Sequence, residues 1–328
     1  MKKIMFFIMV FSLLFSCKKE LTDDLISEEI TSAEITKDYL TFKSSDEFFS
    51  VLDSLNKLPV DQIMWYKSEE GFVSLFTIQE NYYECLDLVT DEISYNNLLT
   101  EYCDVFSLDD PLQFKVYCKT VYPVINREGI VKIGNSLYKF TEDGQIILKN
   151  DDLDRLLSLS VSDIESDDVT IFRYKDYMNS KDDCGYYQSR INIENYDGDR
   201  RASLWSYIDF IWIYQGGGLY YYHTYVWNEG IAYKKKLFGW STYKTNNYLN
   251  LHYSATLNGG ITSQVTLNLS NTNQFHIQYN DFLAEGYTYD PETQGNYQGE
   301  FDWINVNQYT HRGMQGIWVT IWCGPYGK

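Results

Sequence analysis

The stretch YLNLHYSATLNGGITSQVTLNL, Tyr248 to Leu269, decides the fold. In its first half Leu249, Leu251, Tyr253, Ala255 and Leu257 alternate with Asn250, His252, Ser254 and Thr256. A period of two gives a strand one apolar and one polar face. Asn258-Gly259-Gly260 then supplies a turn, and Ile261, Ser263, Val265, Leu267 and Leu269 resume the alternation. The spacing predicts a hairpin whose register is set by one buried face, since a slip of one residue would turn every leucine outward.

Working outward, Phe275, Ile277 and Tyr279 continue the pattern, and Ile317, Val319 and Ile321 alternate with Trp318, Thr320 and Trp322 near the end. Two earlier runs, Leu204 to Tyr214 and Leu219 to Trp227, are joined through Gly216-Gly217-Gly218 and are apolar on both faces. Residues 184 to 328 therefore read as an all-β domain of about eight strands, an antiparallel sandwich or a barrel. The polar, turn-rich Asn179 to Gly185 marks the boundary before it.

Residues 44 to 183 carry a different pattern. Ser44 and Glu47 stand at capping-box spacing, followed by Phe48, Leu52 and Leu55 on one helical face until Pro59, so a helix is expected from about Asp46 to Asn56. Shorter apolar spacing suggests a second helix over Asp61 to Lys67 and a longer one between Asp91 and Phe106. The period then changes: Ile130 to Ile133, Ser136 to Phe140 and Gln145 to Leu148 are short runs separated by Gly134-Asn135 and Asp143-Gly144. The expectation is an acidic α+β domain ahead of the β domain.

Composition bounds the function. The 328 residues are 44% hydrophobic and 17% aromatic with only 5 Pro, which excludes a disordered or collagenous chain and leaves room for about two domains. With 27 basic against 46 acidic residues the net charge is −19, most of it between residues 20 and 190. A chain so acidic lacks the basic footprint that phosphate backbones require, so nucleic acid is disfavoured as a partner.

Lys2 and Lys3 precede the uncharged, mostly apolar Ile4 to Ser16, the arrangement of a secretory signal and too short for a stable bilayer span. Leu13-Leu14-Phe15-Ser16-Cys17 resembles the lipobox of bacterial lipoproteins, although Phe15 is bulkier than the family's usual small residue. The resemblance implies cleavage after residue 16 and lipid attachment at Cys17, an anchor to a membrane without a span. Lys18-Lys19-Glu20 and the acids Asp23, Asp24, Glu28 and Glu29 look like the export tag of Bacteroidota surface lipoproteins, which implies the outer face of the outer membrane, with the periplasmic leaflet as the alternative. Residues 17 to 43 read as a solvated tether. Asn126-Arg127-Glu128-Gly129-Ile130, Leu137-Tyr138-Lys139-Phe140 and Phe238-Gly239-Trp240 are similar to stretches of uncharacterised Bacteroidota lipoproteins with domains of unknown function. That resemblance covers most of the chain and implies the two-part architecture and the location, but no activity.

Common catalytic signatures fail. There is no G-x-S-x-G, H-E-x-x-H, Walker loop or G-x-G-x-x-G, so no nucleotide or cofactor is implied. The histidines His223, His252, His276 and His311 are far apart in sequence, and His252 and His276 fall on the polar faces of their strands, where exposure is expected. Asn150, Asp152 and Asp154 have the first three positions of an EF-hand, but Arg155 and Val161 occupy the Gly and Glu places; a helix N-cap before Leu153 fits better. Asp197-Gly198-Asp199 reads as a turn. With Cys17 lipidated, Cys85, Cys103, Cys118, Cys184 and Cys323 are an odd number without C-x-x-C spacing, so at least one thiol stays free and no metal site is expected.

Of the acids in the β region, Asp209, Glu229, Asp281, Glu285, Asp290, Glu292, Glu300 and Asp302, Asp209 stands out because it interrupts an aromatic run. A carboxylate there needs a partner or a raised pKa, unless its strand is an edge facing solvent. It is the weak candidate for a glycan or peptidoglycan hydrolase, which would pair two carboxylates. The stronger signal is aromatic: 30 Tyr, 18 Phe and 8 Trp, with seven of the tryptophans after residue 200. Rings of this kind offer flat contact surface with a hydrogen-bonding edge. Trp318 with Trp322, and Tyr220 with Tyr222, lie on shared strand faces and are the expected binding platforms, unless those faces are core. Lys234-Lys235-Lys236 is expected to be a solvated strand end, with an anionic ligand as the lesser reading. The function expected is a noncatalytic module that binds a glycan or a protein, with a hydrolase or a structural envelope subunit as alternatives.

Overall fold

A computed structural model describes residues 33–36, 38–106, 114–173, 190–257, 261–289, 299–312 and 315–323. The chain is mostly β-sheet, with helices in the N-terminal half and long strands in the C-terminal half. In order, the elements are β1 (Glu34–Thr36), β2 (Tyr39–Phe42), helices α1 (Ser45–Leu55), α2 (Val60–Trp65), α3 (Leu75–Leu88) and α4 (Glu92–Glu101), then β3 (Ile130–Ile133), β4 (Ser136–Phe140), β5 (Gly144–Leu148), α5 (Leu153–Ser158) and β6 (Val169–Arg173). The C-terminal half holds β7 (Arg190–Asp197), β8 (Arg200–Gly216), β9 (Leu219–Lys236), β10 (Gly239–Thr242), β11 (Thr245–Leu257), β12 (Ile261–Gln274), β13 (His276–Thr288), β14 (Gly299–Arg312) and β15 (Gln315–Cys323).

Local signals place the front elements. Ser44 caps α1, its hydroxyl accepting from the Glu47 amide at 3.2 Å, and Phe48, Leu52 and Leu55 are buried as the helical period requires. Asp152 caps α5 by accepting from the Arg155 amide at 3.0 Å, which is the N-cap expected in place of an EF-hand. The first sheet runs β1-β2-β3-β4-β5-β6, antiparallel except for the parallel β2–β3 pair. A parallel pair needs a crossover, and α1 to α4 supply it. Tyr39, Leu40 and Phe42 of β2 are buried, so the expected tether to residue 43 ends earlier: the chain is already in a sheet by Glu34.

The long strands form two open sheets, which corrects the barrel alternative. One has the order β7-β8-β9, with β10 and β13 lying end to end along the far edge of β9; the other is β12-β11-β14-β15. The hairpin of Tyr248 to Leu269 pairs Leu249 with Leu269, Leu251 with Leu267 and Tyr253 with Val265, the register that the alternation sets. Leu249, Leu251 and Tyr253 are fully buried against Ala202, Leu204, Ile208 and Val226 of the other sheet. The opposite face of the five-stranded sheet is covered by the helices. One apolar cluster runs through Phe48, Phe49 and Phe76 on the helices into Ile211, Tyr225, Ile231 and Tyr233 on β8 and β9.

Among the described residues, β7 pairs with β8 only as far as Tyr207. Side chains from the first sheet take over. The Gln145 amide donates to the Trp212 carbonyl at 2.7 Å and accepts from the Trp212 amide at 3.1 Å, and the Tyr138 hydroxyl accepts from the Tyr214 amide at 3.1 Å. A primary amide presents the same donor and acceptor as a peptide group, so Gln145 meets the backbone of Trp212 as a strand neighbour would.

Candidate functional site

The outward face of the four-stranded sheet is defined by register. Tyr248 pairs with Ser270 and Tyr309, and Tyr309 with Trp318; Asn250 pairs with Asn268 and Asn307, and Asn307 with Thr320; His252 pairs with Thr266 and Asn305, and Asn305 with Trp322. Along β11, Tyr248, Asn250 and His252 alternate with buried Leu249 and Leu251. Tyr248, His252, Thr266, Asn268 and Ser270 are exposed there. By register Trp318 and Trp322 stand in two rows of the sheet, with the row of Asn250, Asn268 and Asn307 between. At about 3.4 Å per residue they sit roughly 14 Å apart along β15, and the rows span a similar width across four strands.

The second expected platform is corrected. Tyr220 and Tyr222 are 5% and 4% exposed. Their face of β9 packs on the first sheet, where Tyr220 meets Phe172 edge-on at 5.4 Å and Tyr222 leans on Trp212 at 5.1 Å. Among the described residues of this sheet, Phe282 and Tyr287 of β13 are exposed on the other face, with Tyr289 just beyond. Tyr287 stacks on Tyr221 at 4.7 Å, and Glu285 stands beside it. A register shift between Phe282 and Ala284 inserts Leu283 and sets the spacing of these side chains.

His276 is the largest departure from expectation. It is 1% exposed, on the face of β13 that α3 covers, instead of on a solvated polar face. Its Nδ1 lies 2.8 Å from Glu229 Oε1 on β9, and its Nε2 lies 2.7 Å from Glu80 Oε1 on α3, an ion-pair contact outside hydrogen-bond alignment. The Lys119 ammonium pairs with the other oxygen of Glu229, and Gln79 donates to Glu229 at 3.4 Å. Two cations thus face two carboxylates in a site closed to solvent, and the charge closes to zero. Burial alone would push the His276 pKa down, but Glu80 and Glu229 outweigh it and raise it to about 10; burial would raise that of Glu229, but Lys119 and His276 hold it at about 2. A histidine whose pKa rises from 6.5 on folding contributes stability in full below pH 6.5 and loses it as pH climbs towards about 10. The melting temperature is therefore expected to fall across that window, and a His276→Gln variant to lose that alkaline limb; identical slopes in the two proteins would refute the assignment.

Asp209 is 2% exposed in the middle of β8, which corrects the solvent-facing reading. Its carboxylate accepts from the Thr120 hydroxyl at 2.8 Å and the Thr120 amide at 3.3 Å, so its partner comes from the loop before β3. It anchors that loop. The lysine run is also engaged: Lys234 pairs with Asp87, and Lys236 donates to the carbonyls of Leu86, Asp87 and Val89, where it closes the C-terminus of α3. Lys235 remains at the rim of a shallow dish of about 760 Å³ with Leu237 and Phe238. Asp197-Gly198-Asp199 is the turn between β7 and β8. Cys85, Cys103 and Cys118 are free thiols, and Cys184 lies outside the described residues, as do Cys17, Asp290 and Glu292. Among the described residues no three His, Cys, Asp or Glu side chains converge as a metal site would need.

His223 is a second buried histidine. His223 on β9 stacks on Phe49 of α1 at 3.5 Å between ring centroids and lies between Tyr221 and Tyr225. Two hydroxyls and two acids, Asp53 and Glu285, extend that contact to both ends of the α1–β13 rim. Sequence spacing could not have found it, because Asp53 and Tyr225 are separated by 172 residues.

No family model matches the chain, and no curated protein matches it. Among solved structures it is similar to a DUF4848 family protein from Bacteroides thetaiotaomicron, 15% identical over 89% of this chain and 100% of that one, with a TM-score of 0.30. That neighbour belongs to a family of unknown function, and a likeness of this degree assigns no activity.

Proposed function

We propose that the protein is an exported bacterial lipoprotein, held at the outer membrane by lipid on Cys17, which uses the outward face of its four-stranded sheet to bind an extended glycan without cleaving it. The observation that supports this is the register that aligns Tyr248, Tyr309 and Trp318 in one row and His252 and Trp322 in another, with Asn250, Asn268 and Asn307 between. Aromatic rings stack on the apolar faces of sugars while amides exchange hydrogen bonds with their hydroxyls. A spacing of about 14 Å between the tryptophans suits a chain of two or three sugar units rather than a single one. Asp209, on which the hydrolase reading leans, is buried and accepts from Thr120, which favours an anchoring role. The surface leaflet fits a recognition role better than the periplasmic one.

The test is a glycan array on soluble residues 20 to 328 beside a Trp318→Ala, Trp322→Ala double variant checked for intact folding. Binding that the folded variant loses, by a factor of ten or more, would support the reading. No binding by either protein would remove the sugar and leave this face to a protein partner within an envelope complex.

A further inference from the structure

Five side chains form one hydrogen-bonded line across the contact between α1 and the five-stranded sheet. At one end the Tyr225 hydroxyl donates to Asp53 Oδ1 at 2.7 Å; at the other the Tyr221 hydroxyl donates to Glu285 Oε2 at 2.5 Å. His223 joins them, its Nδ1 3.0 Å from the Tyr225 oxygen and its Nε2 2.9 Å from the Tyr221 oxygen and 3.0 Å from Glu285.

Counting protons shows that this line is one short. An ionised carboxylate only accepts, and a phenol has a single proton to give. With both phenol protons committed to Asp53 and Glu285, both phenol oxygens must accept from the imidazole. A neutral imidazole has one N–H, so one of its two contacts sets lone pair against lone pair. One added proton closes every link. Placed on Asp53, it is donated to the Tyr225 oxygen, Tyr225 turns its own proton to Nδ1, and Nε2–H serves Tyr221 and Glu285.

We propose that this line is a proton-binding site, a clasp between α1 and β9 that closes on one proton held by the Asp53 carboxyl. The surroundings favour Asp53 over the ring. Burial beside Phe49 drives His223 down to about 4, whereas burial raises Asp53 despite its bond to Tyr225. Besides the line's own members, the charged and titratable groups that face it are Asp46 from α1, Lys57 just past its end, Tyr287 from β13, and the Cys118 thiol near Tyr225. Lys57 opposes proton uptake and Glu285 favours it. A carboxyl raised from 3.8 on folding costs no stability below that pH and weakens the fold as pH rises through its folded value. Mild acid therefore tightens α1 against the sheet.

Asp53→Asn tests this, because its amide donates to Tyr225 at every pH as the protonated acid does. The unfolding constant of the variant is expected to be severalfold smaller than that of the wild type at pH 8, the worth of about one recovered hydrogen bond, with the gap closing towards pH 4. Nitrogen-15 spectra of His223 in the wild type give a second readout that does not depend on any variant's folding: Nδ1 should become an acceptor with Nε2 protonated as pH falls. A variant gap that does not change with pH, or His223 nitrogens that keep one state from pH 8 to 4, would overturn the proposal.

Discussion

Replacing Glu229 with Gln is expected to lower the unfolding free energy by about 3–5 kcal/mol near neutral pH, as measured by denaturant titration, because it leaves buried cations without their shared counter-charge. The side chain is fully buried, and it is the one group that touches both His276 and Lys119. Gln keeps the shape and one acceptor, so the loss reports the charge. Adding Lys119→Met should restore a large part of it, since one cation then faces one carboxylate again. A single-variant loss below about 1 kcal/mol would mean that the cluster is reached by water in solution.

Gly129→Ala is expected to cost at least about 3 kcal/mol, seen as a drop in melting temperature without loss of two-state behaviour. Gly129 has φ of +77°, and a Cβ there would lie 2.3 Å from the Phe140 carbonyl oxygen. The same residue accepts from the Phe140 amide at 2.9 Å, and its own amide donates to Asn126 at 3.0 Å, so it cannot move without opening the start of β3. Gly217→Ala is the control: φ is +60° but no atom lies within 4 Å of the added carbon, so only the left-handed cost of about 1–2 kcal/mol applies. Equal losses at the two positions would show that crowding at Gly129 is relieved cheaply.

These two sites differ in how far the sequence reveals them. Gly129 sits in a stretch that resembles other Bacteroidota lipoproteins, and the two strands that follow it, Ile130–Ile133 and Ser136–Phe140, are found where the short apolar runs placed them. The hairpin at Tyr248 and the caps at Ser44 and Asp152 are equally local, since each depends on residues within a few positions of one another. α3 was not expected, and the reason is chemical. Its buried positions include Gln79 and Glu80, which blur the apolar stripe that marks a helix, and they are buried because Glu229 and His276 wait across the interface. For the same reason His276 read as exposed: its strand alternates faithfully, but the polar face of β13 is covered by a helix nearly two hundred residues earlier. Periodicity reports polarity, and burial follows only when the partner's polarity is known. The aromatic runs of β8 and β9 were ambiguous in the opposite sense, apolar on both faces because the sheet is covered on both. Trp318 and Trp322 were legible as a shared face; their alignment with Tyr248 and His252 came only from the pairing of four strands.

The bonds from Gln145 and Tyr138 cover the backbone of β8 at Trp212 and Tyr214 only while the first sheet is in place. Unpaired strand backbone is a template on which other chains can add. Were the N-terminal half to detach or fold late, the stretch from Trp212 to Tyr214, rich in β-branched and aromatic residues, would present an open edge to other copies. The first sheet therefore acts as a guard against self-association, and damage to it should be seen first as aggregation of the C-terminal half.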